Sequence, residues 1–286
     1  MSVLFIGGDM RQKYACEYLQ ERQIISEVYV DDLGDDNLVN KLKEFQVIVL
    51  PLPVSRDGIY LNSTFMNNRI FVLDVIENIS PTQFLIGGKF GQDLQQKLLE
   101  GNNKFYDYND DEYFQIQNAL LSAEGAIYYA QEKLTHALHG LNIAILGFGR
   151  IGKIIAYLLH CQGAKISVYA RKTVDCTWSE VIGFKALQIK KSGMGGRIEI
   201  EDGGYDLIFN TIPYQTLDET FARQVYKSTI IIDLASYPHG IDEKIAKKYN
   251  LNYYRELGIP GRYAPKSAGK ILGKTIINIL SQGDGF

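Results

Sequence analysis

Cysteine is scarce. Only Cys16, Cys161 and Cys176 occur in 286 residues, widely spaced and odd in number. With no CxxC pair and no zinc-ligand spacing, the chain has neither a disulfide framework nor a metal site, which fits a reducing, cytoplasmic setting. Histidine is scarce too, at four residues. HExxH, P-loop, GxSxG and EF-hand strings are all missing. No apolar run approaches the ~18 consecutive residues of a membrane span. The first six residues carry no basic leader and no cleavage site, so they read as a buried strand. Basic clusters are also missing. Lys and Arg total 30 against 33 Asp and Glu, and basic residues group only in short pairs such as Lys190 with Lys191 and Lys247 with Lys248. A general nucleic-acid binder is excluded on that balance.

Apolar residues are plentiful, at 46%, too many for a disordered chain. The length suits about two domains at ~150 residues each. Short apolar runs at residues 3–6, 28–30, 47–50, 69–73, 83–86 and 104–108 alternate with helical stretches at 11–22, 35–43 and 92–99. Runs that are apolar on both pleat faces predict parallel strands covered on two sides. A long helix is predicted over 118–138, interrupted near Gly125. A second alternating region follows, with strands at 142–146, 165–169, 206–210, 229–233 and 252–254. A final helix is predicted over 266–280, with a frayed polar tail at 281–286. The predicted fold is α/β: two open, doubly wound, mainly parallel-sheet domains joined by crossover helices. Residues 1–120 with 266–286 form the first domain, for substrate or partner. Residues 121–265 form the connecting helix and a Rossmann dinucleotide-binding domain. Two crossings at one place make a clamp that closes on substrate.

The strongest motif is Gly147-Phe148-Gly149-Arg150-Ile151-Gly152, set between an apolar strand and a helical stretch. That context makes the GxGxxG string a dinucleotide fingerprint. Gly147 permits the tight turn, Gly149 the approach of a pyrophosphate, and Gly152 the packing of helix on strand. The next strand ends in Ala170-Arg171-Lys172. An NAD site places a carboxylate there to hold the ribose 2′-OH. Ala170 lacks one, and the two cations suit a 2′-phosphate, so NADP is expected over NAD. Thr211-Ile212-Pro213 and Ser236 close later strands and rim the nicotinamide side, although Thr211 and Ser236 equally suit helix caps.

Other candidates are more scattered. Gly7-Gly8-Asp9-Met10-Arg11 occupies the first strand-to-helix turn. Either Arg11 grips a carboxylate there, or Asp9 caps the helix and Arg11 is a surface cation. Ser55 follows a strand in the same way. Ser122 and Glu124 are placed near the start of the long helix, facing an interdomain crevice; a helix-face salt bridge is the alternative for Glu124. Arg262 and Lys266 lie in a second Gly/Pro-rich hinge, where Pro265 fits the first turn of the final helix. His239, in the loop after the strand ending at Asp233, is a candidate acid or base. His136, His139 and His160 read as surface or structural residues.

These segments, in this order, resemble the family of the dipicolinate synthase A subunit, and do so along nearly the whole chain. The resemblance rests on Gly7-Gly8-Asp9-x-Arg11, Leu52-Pro53-Val54-Ser55, Ser122-Ala123-Glu124-Gly125, the 147–152 glycines, the strand ends at 210–213 and 233–236, and the hinge at 260–269. More distantly the layout resembles the D-2-hydroxyacid dehydrogenases. The resemblance implies oxidation of a dihydrodipicolinate-type precursor from the lysine pathway to the pyridine dicarboxylate of bacterial spores. It implies NADP, a flavoprotein-like B subunit, a homo-oligomer and the mother-cell cytoplasm. Arg11, Ser55, Ser122 and Arg262 would then bind the dicarboxylate, and Glu124, Asp9 or Lys266 would handle the proton. Pro238-His239-Gly240 stands where that family has Pro-Gly-Gly, which weakens His239. The Gly-rich stretch at 190–204 replaces a Rossmann helix and predicts an irregular sheet there. Two alternatives stay open: another NADP-dependent dehydrogenase of a small carboxylate, or a non-catalytic nucleotide-binding subunit.

Overall fold

The computed structural model describes residues 1–29, 35–64, 68–190, 198–200 and 204–282. The expectations for residue 30, for most of the 190–204 stretch and for the last four residues lie outside them. The chain divides into two compact units, Met1–Asn118 with Pro260–Phe286, and Ala119–Ile259. Residues 260–265 therefore cluster with the first unit.

The first stretch gives β1 (Ser2–Ile6), α1 (Met10–Gln20), β2 (Ile25–Tyr29), α2 (Asp35–Lys43), β3 (Val47–Val49), α3 (Val72–Asn78), β4 (Phe84–Gly87), α4 (Gln92–Glu100) and β5 (Lys104–Asp107). Then come α5 (Glu112–Lys133), β6 (Asn142–Leu146), α6 (Arg150–Cys161), β7 (Lys165–Ala170), α7 (Thr173–Val181), β8 (Lys185–Gln188) and β9 (Leu207–Asn210). The chain continues through α8 (Glu219–Gln224), β10 (Ile230–Asp233), α9 (Glu243–Lys248), β11 (Asn252–Arg255), α10 (Ile259–Tyr263) and α11 (Pro265–Gln282).

In the first unit the strands pair in parallel in the order β2-β1-β3-β4-β5. Val3, Leu4, Phe5 and Ile6 are all fully buried, as are Val47, Ile48 and Val49. Alternate side chains feed opposite cores. Leu4, Ile6 and Ile48 pack with Leu42, Val75 and Leu98 from α2, α3 and α4. Val3, Phe5 and Val49 pack with Leu19 of α1 and with Leu272 and Ile276 of α11. Glycine makes the α1–α11 seam close. A Cβ on Gly269 would stand 2.7 Å from the Arg11 carbonyl and 3.0 Å from the Ala15 nitrogen.

The second unit has the order β11-β10-β9-β6-β7-β8, again all parallel. Strand order reverses between β6 and β9. That is the topological switch point at which open α/β sheets bind ligands, beyond the carboxyl ends of the strands. No described helix is long and apolar enough to cross a membrane.

Three local expectations need correction. The apolar run at 69–73 is not a strand: Val72 opens α3, and Val72, Val75 and Ile76 form its buried face. Continuous apolarity hid the helical period. The long helix begins earlier than expected, at Glu112, ends earlier, at Lys133, and passes through Gly125 without a break. Ser122 and Glu124 thus lie mid-helix. Finally α7, β8, α8 and α9 stand where the sequence pattern predicts no element; β8 is a half-buried edge strand without an apolar run.

The seam yields a clear expectation. Gly269→Val should lower unfolding stability by roughly 1–3 kcal/mol through overpacking against the α1 backbone. Lys270→Ala, on the exposed side of α11, should leave the denaturation midpoint nearly unchanged.

Candidate functional site

The glycine turn of the second unit is built as an open cradle. Gly147 sits at φ +95°, in the left-handed region, and its N–H donates to the Tyr169 carbonyl at 2.8 Å. A side chain there would strike Thr211 Oγ1 at 2.5 Å. Gly152 lets α6 seat on the turn, since a Cβ would lie 2.2 Å from the Gly147 carbonyl oxygen. Gly149 occupies the N-cap position of α6, where no side chain caps the helix. Nothing lies within 4 Å of where its Cβ would stand. The amino end of a twelve-residue helix is thus left uncapped, its backbone N–H groups and positive dipole end offered to an anion. Phe148 turns inward and packs edge-on to Phe184, so it offers only backbone. Arg150 is exposed and Ile151 half-buried.

Beside this turn β7 ends at Ala170, which is buried and whose carbonyl accepts the Ile189 N–H at 2.9 Å. Arg171 and Lys172 follow, both exposed, with Lys172 at the N-cap position of α7. The second strand of the fingerprint therefore ends in a methyl group and two cations.

On the other side of the switch point, a buried pair organises the rim. Asn210 closes β9 and Asp233 closes β10, both fully buried. Asn210 Nδ2 donates to Asp233 Oδ1 at 2.7 Å, and the Ile212 N–H donates back to Asn210 Oδ1 at 3.2 Å. The Asp233 carboxylate also accepts the N–H groups of Ala235 and Gly240 and the Tyr253 hydroxyl at 2.6 Å. Burial and the neighbouring Asp233 push the Tyr253 phenol up, which keeps it a donor. Sequence reasoning located these strand ends but missed the roles of Asn210 and Asp233. The available signal was one polar residue closing each of two otherwise apolar strands.

Thr211 and Ser236 cap no helix: α8 is capped by Asp218 and α9 by Asp242. Thr211 donates to the Leu146 carbonyl at 2.9 Å, and Ser236 and Pro213 are exposed. His239 bonds through Nδ1 to the Ala235 carbonyl at 2.8 Å, with its backbone at φ +68°. Its ring serves the loop.

The first-unit turn uses the same grammar with the opposite outcome. Gly7 and Gly8 have positive φ, but Asp9 fills the N-cap. Its side chain accepts the Arg11 N–H, while Gln12 Oε1 accepts the Asp9 N–H at 2.9 Å. The Arg11 guanidinium forks onto both Asp9 oxygens at 2.8 Å, so Arg11 is no surface cation. Burial pushes the Asp9 carboxyl up, but the Arg11 contact outweighs it and holds the group below its ordinary 3.8. That makes Asp9 a weak proton acceptor. Gly261 of α10 packs on this pair, its Cβ position 2.7 Å from Asp9 Oδ2. Arg262 and Lys266 beside it are exposed. Ser55 is committed to its own turn, donating to Asp57 and accepting the Gly58 N–H. Ser122 and Glu124 do not share a face. Two residues apart on a helix, they point in different directions; Ser122 is buried and Glu124 exposed.

Two expectations follow. A depressed folded-state value for Asp9 contributes stability that is present above 3.8 and lost as pH falls through that lower value. Asp9→Asn should therefore be less stable at neutral pH and show a shallower acid limb in thermal melts. Asp233→Asn turns one acceptor into a donor facing donors, and should destabilise by about 1.5–3 kcal/mol in chemical denaturation.

Residues 2–109 match the family model for the N-terminal domain of the dipicolinate synthase A subunit. Over 299 aligned residues the chain is 28% identical to the dipicolinate synthase A subunit of Bacillus subtilis (strain 168), covering 99% of this chain and 96% of that protein. The crystal structure of the dipicolinate synthase A subunit from Bacillus halodurans superposes at a TM-score of 0.85 with 26% identity, covering 99% of this chain and 98% of that one. D-2-hydroxyisocaproate dehydrogenase shares the fold, at 13% identity and a TM-score of 0.58 over 98% of this chain and 96% of its own. Sequence and fold thus agree in one likeness: residues 2–109 match the model for that family's N-terminal domain, and the chain is similar to the dipicolinate synthase A subunit along its length.

Proposed function

We propose that the chain is the NADP-binding subunit of an oxidoreductase that forms dipicolinate from a dihydrodipicolinate-type precursor, working with a flavoprotein-like B subunit. The observation that carries this reading is the uncapped glycine turn at Gly149, beside a β7 end that presents Arg171 and Lys172 in place of a carboxylate. The backbone from Gly147 to Gly152 would hold the pyrophosphate. Arg171 and Lys172 would hold a 2′-phosphate, which a carboxylate would repel. Thr211, Ile212, Pro213 and Ser236 would line the nicotinamide end. When bound, the oxidised nicotinamide supplies a hydride acceptor.

Aromatising a dihydropyridine ring also requires loss of a proton. Glu124, an exposed carboxylate, suits that task better than Asp9, which the Arg11 fork keeps ionised and occupied. A dicarboxylate needs cations, and the exposed Arg262 and Lys266 offer them. Arg11 contributes through its pair with Asp9, and Ser55 and Ser122 by shaping their segments.

Thermal unfolding of the purified chain tests the reading. NADP should raise the midpoint more than NAD, and dipicolinate should add to it. Arg171→Glu should weaken NADP by roughly 10- to 100-fold, the worth of one charge-assisted contact, and leave NAD affinity intact. If neither nucleotide moves the midpoint, the glycine turn is structural only.

A further inference from the structure

The loop after β10 is fixed at every turn. The Asp233 carboxylate takes the Ala235 N–H at 3.0 Å and the Gly240 N–H at 2.9 Å, so both ends are tied to one buried group. The Gly240 carbonyl accepts the Leu217 N–H at 2.9 Å, tying the loop to the segment after β9. Within the loop the His239 N–H donates to the Ser236 carbonyl at 2.9 Å, and the His239 ring bonds the Ala235 carbonyl. That ring stands edge-on to Tyr237, with centroids 6.0 Å apart and planes at 87°. Yet Tyr237, at the centre of this fixed loop, is 86% exposed, more than any other large apolar side chain among the described residues.

An aromatic ring held in solvent by a rigid loop loses little freedom when something stacks on it. The position narrows what that would be. The loop leaves the carboxyl end of β10, two strands from β6 on the side away from β7. At ~4.8 Å per strand that is about 10 Å from the glycine turn. A dinucleotide with its pyrophosphate on Gly149 and its adenosine toward β7 sends its other half to this side. The oxidised nicotinamide ring is a planar cation, and the face of a phenol attracts cations. The reduced ring is neutral.

We propose that Tyr237 is a stacking residue for the oxidised nicotinamide ring and biases the site toward the oxidised dinucleotide. This rests on the dinucleotide reading above. The test is calorimetric titration of the full chain with NADP, NADPH and 2′-phospho-ADP-ribose, which lacks the nicotinamide; NAD, NADH and ADP-ribose serve if NAD binds tighter. Tyr237→Ala should weaken the oxidised dinucleotide by roughly 3- to 30-fold and leave the other two ligands unchanged. Tyr237→Phe should behave as the parent. An unchanged affinity for the oxidised form overturns the proposal. So does a loss shared by the reduced form or by the truncated ligand. If the parent chain binds none of the three, the dinucleotide reading itself fails; if it binds all and Tyr237→Ala alters none, only the role of Tyr237 falls.

Discussion

The carboxyl-end rim of the second sheet hangs on one buried carboxylate. Asp233 gathers four donors: the Asn210 amide from β9, two backbone N–H groups from its own following loop, and the Tyr253 hydroxyl from β11. Three neighbouring strands are thereby registered to one another at the end where ligands bind in this architecture. A buried polar network of this kind is costly when incomplete and rigid when complete. Both rim segments inherit their shape from it, Asn210 to Ile212 directly and Ala235 to Gly240 through the fixed loop. Thr211, which shields Gly147, is positioned by the same stretch.

The two strand-to-helix turns show how little separates a binding turn from a structural one. Each has glycine at positive φ and a helix immediately after. In the first unit the N-cap is Asp9, which brings its own anion to the positive pole and adds Arg11 to balance it. In the second unit the N-cap is Gly149, which brings nothing. This difference of one side chain separates the candidate cofactor site from a self-satisfied cap.

Much of this was legible in the sequence because the strands carry strong signals. LIFN, IIID and NIAIL are apolar on both faces, and only a covered parallel sheet buries both. The glycine motif declared its turn, and the missing acid at Ala170 declared itself by position. What stayed hidden was relational. Nothing in Asp9 and Arg11 separately announces a fork between them, and a continuous apolar run cannot distinguish the start of α3 from a strand. Asn210 and Asp233 were visible only as strand-end residues; that they bond each other depends on β9 and β10 being neighbours. The different faces of Ser122 and Glu124 follow from their two-residue spacing on α5, and which of the two is buried depends on what packs against that helix.

The α1–α11 seam bears on the order in which the chain acquires its structure. One face of the first sheet is covered by α1 together with Leu272, Ile276 and Ile279 of α11, and those residues are synthesised after the whole of the second unit. Until they emerge from the ribosome, Val3, Phe5, Val47 and Val49 lack part of their cover. The second unit is one uninterrupted segment, Ala119–Ile259, and has all its residues before then. During synthesis the later unit is therefore complete in sequence first, and the amino-terminal unit closes after it.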